Sequence, residues 1–111
     1  MAVSPEYRDF VLEQLGRVIP VTHRAMFGGV GVYAEGLFFA LMDDDMLYFK
    51  TDAHSRAAYE SAGMEPFRPY GPDAAPMAYH QLPGDLLETP EALRPWVDAA
   101  VAVARAARRG R

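Results

Sequence analysis

The sequence predicts an α+β fold, in which flanking helices and a mostly antiparallel five-stranded sheet form two layers. Apolar residues recur at helical spacing near both ends of the chain, and short apolar runs between tight turns fill residues 21–50. The 111 residues, half of them hydrophobic, are enough for one domain with its own core. We therefore expect the order α-βββ-α-ββ-α in a single domain over residues 1–111, with its core at about 5–105.

The first helix is predicted at about residues 5–16. Ser4 can cap its start, Pro5 suits the first helical position, and Gly16 bounds its end. A second helix follows the strands, and either Thr51 or Asp52 can cap it.

The last helix is predicted to start at Thr89-Pro90-Glu91. Pro95 indicates either a kink or a true start nearer Arg94. One face of this helix carries apolar residues at the i, i+3, i+4, i+7 spacing, namely Leu93, Trp96, Val97, Ala100, Val101 and Ala104.

The strands form a meander with short connections. Tight turns are predicted at Glu35-Gly36 and at the three aspartates 43–45. The second strand can instead continue the first beyond a glycine bulge. The predicted extended segments are 21–27, 30–33, 37–42, 46–50, a proline-rich stretch at 66–70, and 76–82.

Both faces of the strand at 37–42 are apolar, because large apolar side chains occupy its odd and its even positions. In a two-layer domain the helices cover one face of the sheet. The other face must then meet the terminal helix or another subunit. We expect a homodimer.

The charge of −4 is distributed unevenly. Four arginines lie in an arginine-rich tail at residues 105–111, so residues 1–104 hold 7 basic against 15 acidic side chains. Such an acidic body disfavours binding to phosphate backbones. Cations at the end of a helix favour its dipole, which is the preferred interpretation of the tail over contact with a polyanion.

The chain has no cysteine, which excludes disulfides, zinc–thiolate sites, iron–sulfur clusters and thiol catalysis. It has no apolar stretch long enough for a membrane span and no signal-peptide pattern near its start. We expect a cytoplasmic protein without a membrane partner.

No pattern in the sequence indicates catalysis. The glycines in 27–31 lead into a strand rather than a helix, so they favour a bulge or a close backbone crossing over a phosphate loop. His23, His54 and His80 lack the spacing of a metal-ligand pair, and no serine has the frame of an activated nucleophile. We expect no enzymatic activity, no metal and no cofactor.

Aromatic residues on adjacent predicted strands could form a platform on which bases stack. Phe38, Phe39, Tyr48 and Phe49 are the candidates. Lys50 alone supplies nearby positive charge, and aspartates stand between these strands. Core packing is therefore the preferred interpretation.

Taken together, several motifs resemble the N-terminal domain of the TfoX/Sxy family of competence regulators, over about residues 5–105. The run R-A-M-F-G-G-V-G-V-Y at 24–33 is the most specific of them. The others, in order, are G-L-F-F-A-L at 36–41, L-Y-F-K at 47–50, P-M-A-Y at 76–79, Leu82-Pro83, and the final helix with Leu93 and Trp96.

The resemblance implies a bacterial α+β domain, which in longer family members precedes a helical second domain. Those proteins activate genes for DNA uptake, in some lineages together with the cyclic-AMP receptor protein. This sequence ends at Arg111, so we expect a stand-alone member of the family. The family pattern defines no catalytic residues, and the candidate contact residues are Arg24, Met26, Phe27, Gly28, Gly29, Gly31, Tyr33 and Lys50.

We expect a protein-interaction module in transcriptional regulation, with a protein of the transcription machinery as a partner. Direct DNA binding is less favoured, because the predicted helices are separated by strands and form no helix-turn-helix. The alternative is a small-molecule-binding protein, or an undiscovered enzyme, that uses a pocket lined by aromatic residues and methionines.

Overall fold

The computed structural model describes residues 3–26, 28–71, 73 and 77–109, and within them it forms three α-helices, one 3₁₀ helix and five strands. The helices are α1 (Pro5–Gly16), α2 (Arg56–Ser61), the 3₁₀ helix (Gly84–Glu88) and α3 (Pro90–Arg109). The strands are β1 (Thr22–Met26), β2 (Gly29–Ala34), β3 (Leu37–Asp43), β4 (Met46–Lys50) and β5 (Tyr79–Gln81).

The strands form one open antiparallel sheet, and their order in space is their order in the sequence, β1-β2-β3-β4-β5. The predicted α+β class, with five antiparallel strands and flanking helices, is confirmed. Four strands precede α2, because Gly28 at φ 80° reverses the chain and Met26 then pairs with Gly29. The glycines thus separate two strands instead of bulging within one.

The predicted strands after α2 are shorter than expected. In the stretch 66–70, Pro66 makes one antiparallel bridge to His80, since a proline cannot donate to a ladder. Of the strand predicted at 76–82, the structure contains β5. Position 76 lies outside the described residues.

Both predicted hairpin turns are confirmed, and both use left-handed backbone. Glu35 and Gly36 have φ of 55° and 76°, and Asp44 and Asp45 have φ of 52° and 55°. Two successive positive φ angles are typical of the type I′ turns that match the twist of the flanking strands.

The first and last helices begin where the sequence predicts. The Ser4 hydroxyl accepts a hydrogen bond from the Tyr7 N–H at 3.3 Å, which caps α1. Helix α3 begins at Pro90 and continues through Pro95, so the alternative start near Arg94 is wrong.

The predicted cap of α2 is also wrong. Asp52 instead accepts hydrogen bonds from the N–H groups of His54 and Ser55, at 3.0 and 2.7 Å, in a turn that precedes the helix. Because this turn uses the residues after Asp52, the helix begins only at Arg56, with Ser55 in the cap position.

A bulge in β3 decides which side chains enter the core. The register changes from Val32 opposite Ala40 to Tyr33 opposite Phe38, so Phe39 is an extra residue in β3. Phe39 and Ala40 are both fully buried in the same cluster, whereas Phe38 is half-buried. Simple alternation along β3 is thereby interrupted.

The helices pack on one face of the sheet, which we call the core face. α3 contributes the predicted apolar positions, with Trp96 at the margin, and α1 contributes Val11 and Leu15. The sheet residues of this cluster are Val30, Val32, Ala34, Leu37, Phe39, Ala40, Met42, Leu47 and Phe49. We call the opposite side of the sheet the open face.

Candidate functional site

The open face carries aromatic side chains where a solvated antiparallel sheet is ordinarily polar. Because Val32 and Ala34 point into the core, the intervening Tyr33 points to the open face. The same alternation places Tyr48 and Lys50 there, on either side of the fully buried Phe49.

Three rings form a row across the sheet. The Tyr33 and Phe38 rings stack with centroids 5.2 Å apart and an interplanar angle of 27°. The Phe38 and Tyr79 rings follow at 5.7 Å in a tilted arrangement. These separations are favourable for aromatic pairs. We call Tyr33, Phe38 and Tyr79 the aromatic row.

A cation lies over the ring at each end of the aromatic row. The Arg24 guanidinium carbon is 5.6 Å from the centroid of the Tyr33 ring. The Lys50 Nζ is 5.0 Å from the centroid of the Tyr79 ring. Both distances are within the range of cation–π attraction. The open face therefore presents an apolar centre between two positive charges.

A second aromatic pair lies beside the row. The Tyr48 and Phe67 rings are 4.7 Å apart, and the Phe67 N–H donates to the Tyr79 carbonyl at 2.8 Å. Burial, and secondarily the nearby Asp43, raise the pKa of Tyr48. Burial, with a smaller contribution from Tyr33, raises the pKa of Tyr79 to about 12. Both phenols are therefore neutral at physiological pH and are unsuited to acid–base chemistry. Tyr79 is only 3% exposed, so it supports the neighbouring rings, whereas the half-buried Tyr48 supplies part of the surface.

Two glycines of the family motif permit close contact between strands. A Cβ on Gly31 would lie 2.5 Å from Met26 Cε and 3.2 Å from the Phe38 ring. A Cβ on Gly29 would collide with the carbonyl oxygen of Met42 on β3. The glycines therefore let β2 lie between its neighbours without steric overlap.

The structure brings most of the predicted contact residues to one place. Arg24, Met26, Gly31, Tyr33 and Lys50 share the open face. Gly28 and Gly29 act through the backbone, as described above, and Phe27 lies outside the described residues.

The predicted set omits Phe38 and Tyr79, which complete the row. Of the four aromatic residues proposed for core packing, Phe39 and Phe49 are fully buried in the core, whereas Phe38 and Tyr48 lie on the open face. Because Tyr48 precedes the buried Phe49 in β4, the alternation of a strand correctly assigns Tyr48 to the open face. The bulge at Phe39 prevents the same inference for β3.

A polar cavity of about 380 Å³ lies on the other side of β5, lined by residues that include Arg56, Glu60 and His80. His80 is only 6% exposed, and its Nδ1 is 2.9 Å from the hydroxyl of Thr51. Burial lowers the pKa of His80 and is the largest influence on it. The nearby Glu60 favours the protonated ring and therefore acts in the opposite direction. His80 is therefore a buried neutral imidazole at physiological pH.

An apolar cleft of about 300 Å³ separates α2 from α3. The rings of Tyr59 and Trp96 meet edge to face in it at 4.8 Å, and Ala58, Pro95 and Ala99 form its sides. Its lining contains no methionine among the described residues, so it differs from the aromatic and methionine pocket of the sequence interpretation.

Within residues 3–26, 28–71, 73 and 77–109, no group of three or more histidine or carboxylate side chains could hold a metal ion. A search of the same stretches for membrane-crossing helices finds none with the required length and apolar character.

Comparison with known proteins identifies the fold family. The family model described as the TfoX N-terminal domain matches residues 13–104, which is most of the chain and includes the aromatic row. No curated protein matches the chain. The match contains the glycine motif of β1 and β2, the strands of the open face and most of α3. The chain therefore belongs to the TfoX N-terminal domain family.

Proposed function

We propose that this protein is a non-enzymatic interaction module in bacterial transcriptional regulation, which acts in the cytoplasm and dimerises through its open face. The observation that carries the proposal is the aromatic row between Arg24 and Lys50. Contiguous apolar surface with a polar rim is typical of protein–protein interfaces, where aromatic residues and arginine are enriched.

A second copy of the chain is a suitable occupant, because the open face carries both signs of charge. Asp43 follows the buried Met42 and therefore belongs to the same side of the sheet as Tyr48, whose pKa it raises. In an interface with two-fold symmetry, each surface is its own partner. Cations at Arg24 and Lys50 can then face carboxylates of the other copy.

Light scattering at micromolar concentration tests the dimer. We expect the wild-type mass to be twice the 12.3 kDa of the single chain. Phe38→Ser removes the central ring of the row and should give the single-chain mass. Phe10→Ser, which changes an exposed phenylalanine on α1, is the matched control and should stay dimeric. A wild-type protein that scatters as one chain would remove the dimer from the proposal.

The role in transcription is supported by family membership and by the acidic character of the chain. An acidic surface steers basic protein partners and repels nucleic acid. Capture on the tagged wild-type protein should enrich RNA polymerase subunits or a transcription factor, and the enrichment should fall with salt. A capture that contains only the protein itself would contradict this role. A labelled DNA duplex should not shift at low salt.

The cleft at Trp96 favours a second candidate function, the binding of a small apolar molecule. Its volume and aromatic lining are in the range of ligand sites. Trp96 is the single tryptophan of the chain, so its fluorescence reports on this cleft directly. A screen of small aromatic and aliphatic compounds should then change the emission, and Ala99→Leu, which fills the cleft, should abolish the change. Unchanged emission throughout the screen would contradict this candidate.

A further inference from the structure

The two edges of the sheet are finished in different ways. Beyond β5, the chain itself supplies further pairing: the Phe67 N–H donates to Tyr79 O at 2.8 Å, and the Gln81 N–H donates to Glu65 O at 3.0 Å. Pro66, which lies in this outer segment, cannot donate a ladder hydrogen bond. This edge is thereby covered and protected against further strands.

The β1 edge has no such cover in the described part of the chain, where β1 pairs with β2 alone. Thr22, His23, Arg24 and Ala25 are all exposed, although His23 and Ala25 point to the side of the sheet that carries the helices. The helical layer therefore stops short of β1. An exposed edge of regular strand is a template on which another chain can pair.

The positive charge of the β1 edge favours an incoming strand that carries negative charge. Residues 14–34, which include β1 and β2, contain no aspartate or glutamate, although the whole protein carries a net charge of −4. Arg24 lies at the centre of β1 with its guanidinium over Tyr33. A strand beside β1 thus meets a positive side chain, and the nearest carboxylates in the sequence, Glu13 and Glu35, lie outside β1 and β2.

We infer that the β1 edge binds an extended acidic segment of a partner protein, which adds to the sheet as a further strand with a carboxylate opposite Arg24. This rests on the proposed role in protein interaction and names the chemistry of the one segment that contacts β1, while the acidic remainder of the chain favours basic groups elsewhere on a partner. Main-chain hydrogen bonds supply the affinity in such strand addition, and side chains at alternate positions supply the specificity. Opposite charges directly across two strands are favourable.

A second copy fits this edge less well than an acidic strand. Antiparallel pairing of β1 with itself about its central residue places Arg24 opposite its own copy, and like charges in that position are destabilising. The outward main-chain groups of β1 therefore serve a different partner from the open face, and the Arg24 side chain borders both surfaces.

The test uses the full isotope-labelled protein and two short peptides, one of alternating glutamate and valine and one with lysine in place of glutamate. At low salt, the glutamate peptide should shift the amide signals of residues 22–26 and slow the hydrogen exchange of the outward-facing amides there. Arg24→Glu should weaken this binding by about threefold to tenfold and should strengthen binding of the lysine peptide. Arg8→Glu, a charge reversal at a half-buried arginine on α1, is the matched control and should leave both affinities unchanged.

Equal binding of the two peptides, shifts that map away from β1, or no shift at all would overturn the inference. So would an equal effect of Arg24→Glu and Arg8→Glu. The dimer mass, measured on the same samples, separates the two proposals: a dimer that ignores the glutamate peptide retains the open-face proposal and loses this one.

Discussion

The thioether of Met26 occupies the space above Gly31, where any other residue would carry a side chain. A Cβ on Gly31 would lie 2.5 Å from Met26 Cε, and the Phe38 ring would be 3.2 Å away. This fit links the edge strand β1 to the middle of the open face. The glycine therefore shapes the proposed interface as well as the backbone.

Alanine at the two motif glycines should have different consequences for stability. Gly31→Ala meets the flexible end of Met26, which can move, so we expect a loss below about 1 kcal/mol. Gly29→Ala meets the carbonyl of Met42, which is fixed in the sheet, and should cost about 1–3 kcal/mol or more. Urea unfolding followed by circular dichroism measures both losses. Equal losses would mean that the backbone of β3 yields as easily as the methionine.

The two neighbouring phenylalanines of β3 should differ in the same assay. Phe39 is 0% exposed, so Phe39→Ala should lower the free energy of unfolding by about 3–5 kcal/mol. Phe38 is half-buried on the open face, and Phe38→Ala should cost less than about 2 kcal/mol. A larger loss at Phe38 than at Phe39 would contradict the assignment of the faces.

Acidification should destabilise the fold through His80. Burial lowers the pKa of His80 in the folded state, so the unfolded chain takes up this proton first as the pH falls through about 6.5. The free energy of unfolding should therefore fall below that pH and level off once the folded state is protonated too. Arg56 opposes the charged ring, while Glu60 and Glu65 favour it.

Thermal unfolding between pH 7 and pH 5 measures the slope of the stability against pH. His80→Gln should flatten it, and His54→Gln, which changes an exposed histidine, is the control. An identical slope in wild type and His80→Gln would show that His80 does not contribute.

Glycine in the β3–β4 turn should stabilise the protein. Asp44 has φ of 52°, a conformation that costs a residue with a Cβ more than it costs glycine, so Asp44→Gly should gain up to about 1 kcal/mol. Asp45 has a similar φ, but its Oδ1 accepts a hydrogen bond from the Ser4 N–H at 2.7 Å. Asp45→Gly should therefore gain less than Asp44→Gly. Melting temperatures compare the two, and a greater gain at Asp45 would contradict a role for the Ser4 contact.

Local signals in the sequence are sufficient for α1, α3 and both hairpins. Ser4 and Pro5 mark the start of α1, and Glu35-Gly36 marks a turn, because these residues act through their own backbone geometry. The start of α2 was missed, because Asp52 satisfies two N–H groups of a turn instead of the helix. A capping residue does not by itself distinguish these two uses.

The candidate site was predicted only in part, because it depends on which side of the sheet each residue faces. The family motif contains Arg24 and Tyr33, and strand pairing brings them together. The scarcity of positive charge near Phe38 favours core packing, and the bulge at Phe39, which shifts the alternation of β3, leaves no local pattern that would place Phe38 on the open face. Tyr79 is distant in sequence and joins the row only through β4–β5 pairing.

The most direct test of the open-face interface is a nuclear Overhauser measurement on a mixture of labelled and unlabelled protein, which detects only contacts between copies. We expect these contacts between protons of Tyr33 and Phe38 in one copy and open-face protons of the other. Contacts confined to α1, α3 or the Trp96 cleft would place the interface elsewhere. A protein with no contacts between copies at millimolar concentration would contradict dimerisation through the open face altogether.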